Sequence, residues 1–251
     1  WEKHTSWTET KTILNSQPPQ ILFIERCLQL LKEGGRLGIV LPEGLFGNPT
    51  DRYIWEYISS VASIIGIVSL SQETFQPSTH TKTSVLFLRK KAEKPKSIFM
   101  AIANNVGHNK NGKPVYKLNV ENGIKEIDDD LPIIGNKFSE FINHDSLKDD
   151  HLGFSVSYQE INDHIFIPEY YNPEIKREIN SLQISNKFNL ISIGELVDKK
   201  ITKISRGNEI GSKYYGTGDI PFVRTSDIVN WEIKFDPVKS VSEELYKQYK
   251  A

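Results

Sequence analysis

The stretch LKEGGRLGIVLPEGLF, Leu31 to Phe46, combines the end of a helix, a strand and a turn. Gly34 and Gly35 predict the end of the helix, because glycine readily adopts the backbone conformation that closes one. The run RLGIVLP is almost unbroken in apolar residues, which suits a strand covered on both faces, as in a parallel sheet. Pro42 ends that strand. The stretch therefore predicts an α/β fold.

The segments on both sides predict the same fold class. PPQILFIERCLQLLKEGG predicts a helix before the strand and TDRYIWEYISSVAS a helix after it, because both repeat apolar residues at helical spacing. IIGIVSL and TSVLFLRKK follow as two β-rich runs joined by the polar loop SQETFQPSTHTK. The order helix, strand, helix, strand, strand predicts the second half of a doubly wound α/β domain that ends in a hairpin.

The rest of the chain changes character twice. After the hairpin, SIFMAIANNVG suggests a strand, NKNGKP a turn, and IIGNKFSEFINH and PEYYNPEIKREINSL helices, which together predict a mixed α+β extension. From about Asn186, the short β-rich runs NLISIGELV, KITKIS, DIPFVRTSDI and WEIKF are separated by turn residues. We therefore predict three segments, residues 1–92, 93–185 and 186–251.

Composition limits the function classes. The formal net charge of −1 gives no overall attraction to nucleic acid or membranes, so any such affinity requires local patches. The single cysteine, Cys27, cannot form an internal disulfide, which is typical of a reducing compartment. No apolar run reaches the 18 or so residues of a membrane span, and we expect a cytoplasmic protein without membrane partners. Because the chain begins at Trp1 and its one methionine is Met100, we expect a piece of a longer protein.

Few residues have a spacing typical of chemistry. The six histidines have no metal-site spacing, and we expect no metal. Glu43 follows a strand end, where open α/β sheets bind ligands, but an exposed turn carboxylate is an equal alternative. Glu169, Glu174 and Lys176 faintly resemble a nuclease metal site, although such triples arise often by chance.

Phe75 and the cations after the hairpin leave alternatives open. An aromatic residue in a polar loop must pack back into the core or cover something that binds, and spacing alone favours the core for Phe75. The basic residues that include Arg89 and Lys90 are either a solvated strand end or an edge that faces phosphates.

The first part of the chain resembles a known family. LFIERCLQLLKEGGRLGIVLPEGLF, followed by IWEYISSVASIIGIVSLSQETFQPSTHTKTSVLFLRKK, resembles the later catalytic-domain motifs of N6-adenine DNA methyltransferases, most closely the modification subunits of type I restriction-modification systems. The matching features are a helix ending in Leu-Lys-x-Gly-Gly, a strand closing on Leu-Pro, a loop Phe at Phe75, and the strand Thr81 to Phe87. Several motifs occur in the family's order over residues 18 to 92. IFMAIANNVGHNKNGKP resembles the extension that follows the hairpin in the same subunits.

The resemblance implies a fold and a cofactor. The implied fold is the second half of a Rossmann-like methyltransferase sheet, and the implied methyl donor is S-adenosylmethionine. The family binds this donor through a glycine-containing loop and the target amino group through Asn/Asp-Pro-Pro-aromatic, and neither motif occurs in these 251 residues. QPPQ, Gln17 to Gln20, lacks both the Asn/Asp and the aromatic, and we interpret it as a helix entry. We therefore expect no catalytic residue within this chain.

A role for Phe75 follows from the resemblance. An adenine inside a duplex must be flipped out to reach a methyl donor, which costs a few kcal/mol of unstacking. An aromatic face that stacks on the flipped base returns about 1–3 kcal/mol. Related enzymes place an aromatic from this loop there, so the resemblance favours Phe75 as the base contact.

The last block resembles a different component. The stretch from Gly218 to Ile228 is similar to the opening of a target recognition domain of type I specificity subunits, which implies a methyltransferase fused to a recognition segment. This block contains 11 Lys and Arg against 9 Asp and Glu from Lys187 onward, so individual residues must provide any grip on DNA. The residues predicted to bind DNA are Lys82, Arg89, Lys90, Arg206, Lys213 and Arg224, although a structural pair with Asp227 or Asp219 is the favoured alternative for Arg224.

Two function classes remain open from the sequence. One is part of an adenine-N6 DNA methyltransferase that binds double-stranded DNA and restriction-modification subunits. The other is a non-catalytic DNA-binding, specificity or scaffolding module.

Overall fold

The computed structural model describes residues 2–4, 11–13, 17–91, 93, 95–119, 123–144, 147–185, 187–205, 207–208, 210–229, 232–233 and 239–249. The chain divides into two compact units, Trp1–Phe188 and Asn189–Ala251. This division lies three residues from the predicted change at residue 186.

The described part of the larger unit contains nine strands and four helices. The strands are β1 (Glu2–His4), β2 (Lys11–Ile13), β3 (Arg36–Pro42), β4 (Ala62–Ser69), β5 (Thr83–Lys90), β6 (Ser97–Ile102), β7 (Tyr116–Leu118), β8 (Lys125–Ile127) and β9 (Phe154–Ser157). The helices are α1 (Pro19–Leu30), α2 (Arg52–Val61), α3 (Leu131–His144) and α4 (Pro173–Ile184). The predicted order helix, strand, helix, strand, strand is therefore correct.

A mixed five-stranded sheet in the order β3-β5-β4-β6-β9 forms the centre of this unit. β5 pairs antiparallel with both β3 and β4, and β4 pairs parallel with β6. Strands β3, β4 and β6 therefore run in the same direction, and their carboxyl ends lie at one edge of the sheet. Ligands of open α/β sheets bind at such an edge.

Both faces of the sheet are covered, because successive strand residues point to opposite sides. One face packs against α1 and α2 through Ile24, Leu28, Ile54 and Ile58. The other face packs against α3, where the Phe138 ring lies 4.9 Å from the Phe87 ring centroid. The unit is thus a three-layer α/β/α arrangement.

The structure corrects the expectation for β3. The apolar run RLGIVLP predicted a strand covered on both faces in a parallel sheet. Among the described strands β3 pairs only with β5 and antiparallel to it, so it is an edge strand. Leu41 is buried but Val40 is 47% exposed. The apolar run marked a strand correctly, but its partner is the second strand of the hairpin, which sequence periodicity cannot specify.

The predicted extension shares the sheet with the first segment. β6 pairs with β4 and β9 pairs with β6, so the sheet continues beyond residue 92. An aromatic cluster connects the same regions on one face. The Trp55 ring lies 4.3 Å from Phe166 and 5.4 Å from Phe46, and the Phe166 amide donates a hydrogen bond to the Phe46 carbonyl at 2.7 Å. The end of LKEGGRLGIVLPEGLF is thereby fixed to residues well over a hundred positions later.

The smaller unit, Asn189–Ala251, contains short elements in its described residues. These are α5 (Ile193–Asp198), β10 (Ile220–Phe222), β11 (Ile228–Val229), β12 (Glu232–Ile233), β13 (Lys239–Val241) and α6 (Glu243–Tyr249). The prediction of a β-rich run in NLISIGELV is wrong, because Ser192 and Glu195 form a capping box that starts α5. Reciprocal capping bonds outweigh the weak β-propensity of a short run. KITKIS is likewise not a strand.

The helices of the described residues are short. The longest, α3, has 14 residues. None has the length and apolar character needed to cross a membrane.

Candidate functional site

Phe75 lies in an ordered loop at the carboxyl edge of the sheet. The loop Ser71–Lys82 connects β4 to β5 and is closed by backbone hydrogen bonds, including Gln76 N to Glu73 O at 2.9 Å and Thr79 N to Phe75 O at 3.0 Å. The Phe75 side chain is 40% exposed, and the Phe75 carbonyl accepts the hydrogen bond from Thr79 within the loop. The prediction from spacing alone, that Phe75 packs into the core, is therefore wrong. An aromatic ring on a pre-formed loop can bind a planar ligand at little entropic cost.

Lys82 closes this loop onto two distant segments. Its ammonium Nζ lies 2.6 Å from Glu43 Oε1 and 2.6 Å from Glu169 Oε1. Ser69 Oγ also donates to Glu169 Oε1, at 2.5 Å. Glu43 follows the end of β3, Ser69 ends β4 and Glu169 lies in the turn Pro168–Tyr171. Four side chains from four segments thus meet where the Phe75 loop joins β5.

The protonation of this cluster is fixed by its contacts. Burial raises the pKa of the Glu169 carboxyl, but the bonds from Lys82 and Ser69 more than offset it, so the pKa lies below its usual value. Burial lowers the pKa of the Lys82 ammonium, but the bonds to Glu169 and Glu43 outweigh it and the pKa lies above its usual value. Both groups are therefore charged at neutral pH.

The structure does not bring Arg89 and Lys90 to this edge. They lie at the far end of β5, about 23 Å from Thr83 at 3.3 Å per residue. Lys90 Nζ donates to the Leu31 carbonyl at 2.6 Å, and Arg89 Nε donates to the Gly34 carbonyl at 3.4 Å. Both cations satisfy carbonyls at the end of α1, a common role of basic side chains.

A second segment lies against the Phe75 loop. The turn Asn109–Lys113 follows β6, and a Cβ on Gly112 would lie 3.8 Å from Pro77 Cδ of the loop. A polar cavity of about 210 Å³ lies beside the start of the loop. Its lining comes from the start of the loop and from the residues after β6, namely Ser71, Glu73, Asn104, Asn105, Val106, His108, Val115 and Asp128.

The residues of the smaller unit that were predicted to bind DNA differ in their contacts. Arg224 forms a bidentate pair with buried Asp227, with Nε at 3.0 Å from Oδ2 and an Nη at 3.1 Å from Oδ1. The hydrogen bond to Asp227 raises the pKa of Arg224. The alternative that the sequence favoured, a structural pair between Arg224 and Asp227, is confirmed. Lys213 Nζ lies 4.9 Å from the centroid of the Tyr214 ring, whereas Arg206 lies outside the described residues.

The weaker alternatives from the sequence are resolved by geometry. Glu174 pairs with His151 at 2.9 Å and Lys176 with Glu160 at 3.0 Å, while Glu169 belongs to the Lys82 cluster. The nuclease-like triple therefore does not converge. The described residues contain no group of three or more His, Cys, Asp or Glu suited to a metal. QPPQ is a helix entry as predicted, with Pro18 as the N-cap and Pro19 as the first residue of α1.

Comparison with known families gives these features a context. The sequence model of the family described as N-6 DNA methylase matches residues 1–185, which is most of the chain. The chain belongs to the N-6 DNA methylase family. The predicted α/β fold class is confirmed, since a mixed sheet with helices on both faces forms the region that matches this methylase family. The match ends three residues before the boundary between the two units.

Individual relatives of this N-6 DNA methylase are distant. The methylase subunit of the Escherichia coli type I restriction enzyme EcoEI is 34% identical over 70 residues, which are 28% of this chain and 14% of that protein. A structure from work on complex assembly and conformational transition of the type I R-M system is 17% identical, with a TM-score of 0.49 over 75% of this chain and 41% of that one. A candidate class I S-adenosylmethionine-dependent methyltransferase of Listeria monocytogenes is 28% identical, with a TM-score of 0.31 over 33% of this chain and 26% of that one.

Among the described residues, the turn after β3 can be tested as a methyl-donor cradle. A donor cradle requires glycines that leave space at a strand-to-helix turn. The turn after β3 contains Gly44 and Gly47, but a Cβ on Gly47 would lie 2.5 Å from Ile167 Cδ1, so protein already fills this space. Only Gly44 has no atom within 4 Å of its Cβ position, so the described residues of this turn do not form the cradle of several open glycines that S-adenosylmethionine requires.

Proposed function

We propose that this chain is part of an adenine-N6 DNA methyltransferase of a type I restriction-modification system, in which Phe75 stacks on the flipped target adenine. The observation that carries the proposal is the half-exposed Phe75 ring on a hydrogen-bonded loop at the carboxyl edge of the sheet. Membership of the N-6 DNA methylase family and the EcoEI methylase relative support it. A cytoplasmic location, double-stranded DNA and the other subunits of such a system as partners belong to the same proposal.

Within this proposal the loop residues have separate tasks. Phe75 offers a π face to the extruded base, which supplies about 1–3 kcal/mol toward the unstacking cost. Lys82, whose contact with DNA stays a prediction, positions the loop, because its ammonium is held by Glu43 and Glu169 at 2.6 Å each. Arg89 and Lys90 stay predictions for DNA binding and are not part of the proposed site, since their cations donate to the carbonyls of Gly34 and Leu31, which follow α1 at the opposite end of β5.

S-adenosylmethionine is the methyl donor in this proposal, because the family implies it. The glycine-loop and Asn/Asp-Pro-Pro-aromatic motifs of the family do not occur in these 251 residues, and a Cβ on Gly47 would lie 2.5 Å from Ile167 Cδ1. We expect no methyl transfer to duplex DNA by these 251 residues alone. Transfer of label from the methyl donor to adenine by this chain would contradict that expectation.

The smaller unit is proposed to contribute to DNA recognition. The stretch from Gly218 to Ile228 supports this, as does the separate compact unit that follows the family match. Of the cations predicted to bind DNA in this unit, Lys213 is exposed, whereas Arg224 is held by Asp227. A role for Arg206 in DNA binding stays a prediction.

Binding of a duplex with 2-aminopurine opposite an abasic site tests the role of Phe75 without knowledge of the recognised sequence. The unpaired base costs little to extrude, so stacking on Phe75 would dominate the preference for this duplex over a fully paired one. We expect Phe75→Ala to reduce that preference by about 5- to 150-fold, the equivalent of about 1–3 kcal/mol. Phe75→Trp should retain the preference for the unpaired base.

The matched control is Phe23→Ala on α1, which removes a 64% exposed ring far from the loop in sequence. An unchanged preference in Phe75→Ala would refute the assignment.

A further inference from the structure

The turn after β6 is a basic surface beside the Phe75 loop. The stretch from Asn104 to Asn119 contains three lysines and one histidine but no aspartate or glutamate. The paired segment brings Glu126, Asp128 and Asp129 beside this stretch, so the excess of cations is confined to the turn Asn109–Lys113. A local excess of cations is the usual electrostatic feature of a surface that binds polyanions.

Hydrogen bonds fix the shape of this turn. Asn109 Oδ1 accepts from the amides of Asn111 at 3.0 Å and Lys113 at 3.1 Å, and the Asn109 amide donates to the Lys113 carbonyl at 2.9 Å. Gly112 has a φ of 73°, in the left-handed region that glycine adopts without strain. The base of the segment is fixed as well, because Asp130 Oδ2 accepts from the amides of Asn104 and Asn105 at 3.0 and 2.8 Å.

The lysines of the segment differ in their availability. Lys117 pairs with Asp128 at 3.3 Å. Lys110 and Lys113 are exposed, and within the described residues neither forms an ion pair. A rigid turn therefore presents two solvated ammonium groups.

The position of the turn identifies the polyanion. A Cβ added at Gly112 would lie 3.8 Å from Pro77 Cδ, so the turn approaches the loop, and Pro77 is two residues, or at most about 7 Å of chain, from Phe75. DNA carries one phosphate per 3.4 Å of axis on each strand, so phosphates flanking a base on Phe75 lie within reach of this turn. Glu73 and Asp128 in the cavity beside the start of the loop disfavour an anion inside it. The phosphates belong at the outer rim.

We propose that the turn Asn109–Lys113 binds the DNA backbone next to the flipped nucleotide, with Lys110 and Lys113 as its phosphate contacts. This inference rests on the proposed function, because it takes its ligand from the role of Phe75. Backbone contacts of this kind set the register of the protein on DNA without reading its sequence.

The test is the salt dependence of binding to a fluorescent 30-base-pair duplex of arbitrary sequence. Each phosphate contact contributes about 0.9 to the slope of log affinity against log salt concentration, so Lys110→Ala with Lys113→Ala should reduce the slope by about 2. The loss should be the same for duplexes of different sequence. The matched control is Lys32→Ala with Lys96→Ala, which removes two exposed lysines without a described ion pair just before β3 and β6, at the opposite edge of the sheet, and should leave the slope unchanged.

The outcomes separate this inference from the proposed function. An unchanged slope in the turn variant, or an equal decrease in the control variant, would overturn the phosphate assignment. Phe75→Ala addresses the preference for the unpaired base and should leave the salt slope in place. A reduced slope in the turn variant together with an unaffected Phe75→Ala would therefore support the phosphate contacts while contradicting the base contact.

Discussion

Lys82 and Glu169 lie 87 positions apart in the sequence, and their Nζ and Oε1 atoms are 2.6 Å apart in the structure. Their contact joins the end of the Phe75 loop to the turn before α4. Because Glu43 completes the cluster from the end of β3, the sequence stretch that indicated the fold also contributes to the support of the candidate site.

Loss of the Lys82 ammonium should destabilise the protein. Lys82→Met leaves Glu43 and Glu169 facing each other without a cation, and we expect a loss of about 1–2 kcal/mol in the free energy of unfolding. This is less than the 3–5 kcal/mol typical of a fully buried pair, because about a third of each side chain is exposed. Urea denaturation measures this free energy.

Lys91→Met is the control. The Lys91–Glu33 pair has the same 2.6 Å separation at a far more exposed position, so its loss should not change the free energy of unfolding measurably. Equal effects of the two substitutions would contradict a special role for the Lys82 cluster.

The same cluster predicts a pH dependence of stability. The folded pKa of Glu169 lies below its usual 4.5, so its contribution is present above about pH 4.5 and is lost as the pH falls through the folded pKa. The folded pKa of Lys82 lies above its usual 10.5, so its contribution is present below that pH and is lost at higher pH. The difference in unfolding free energy between the wild type and Glu169→Gln should therefore be constant from about pH 6 to 9 and shrink below pH 4.5. A constant difference down to pH 3 would show that the Glu169 carboxylate does not account for it.

Because of the aromatic cluster, we expect residues 1–92 and residues 93–185 to unfold together. Phe166 is 2% exposed and stacks on Trp55, so Phe166→Ala should cost about 3–5 kcal/mol. The transition should shift without splitting, because residues from both segments share one sheet and one core. Circular dichroism during denaturation measures this. Phe23→Ala is the exposed control and should stay within about 0.5 kcal/mol. A two-step transition in Phe166→Ala would indicate independent segments.

Two glycines should respond in opposite directions to alanine. A Cβ on Gly66 would lie 3.0 Å from Phe138 Cε2 and 3.3 Å from the Phe99 carbonyl oxygen, so Gly66→Ala should cost about 1–3 kcal/mol where α3 packs on the sheet. Gly135, within α3, has no atom within 4 Å of its Cβ position, so Gly135→Ala should add about 0.5–1 kcal/mol of helix stability. Thermal denaturation of both variants measures this contrast. Stabilisation by Gly66→Ala would mean that Phe138 moves aside freely.

The sequence by itself determined the local elements of this protein. Apolar residues at helical spacing placed Ile24 and Leu28 on the buried side of α1, because the helical repeat brings such positions onto one face. The loop between β4 and β5 identified Phe75 as unusual, since its neighbours are polar. The resemblance to adenine methyltransferases likewise depended on the order of short motifs along the chain, and the family match agrees with it.

Only the tertiary structure decided which distant groups meet. It placed β3 beside β5, separated Arg89 and Lys90 from the Phe75 loop by the length of a strand, and brought Glu169 to Lys82. It also placed the Asn109–Lys113 turn against the loop. Periodicity reports which face of an element is buried but not which element covers it, and charges distant in sequence have no local signal. Strand order and side-chain convergence depend on the packing of the whole sheet, and that packing defined the candidate site.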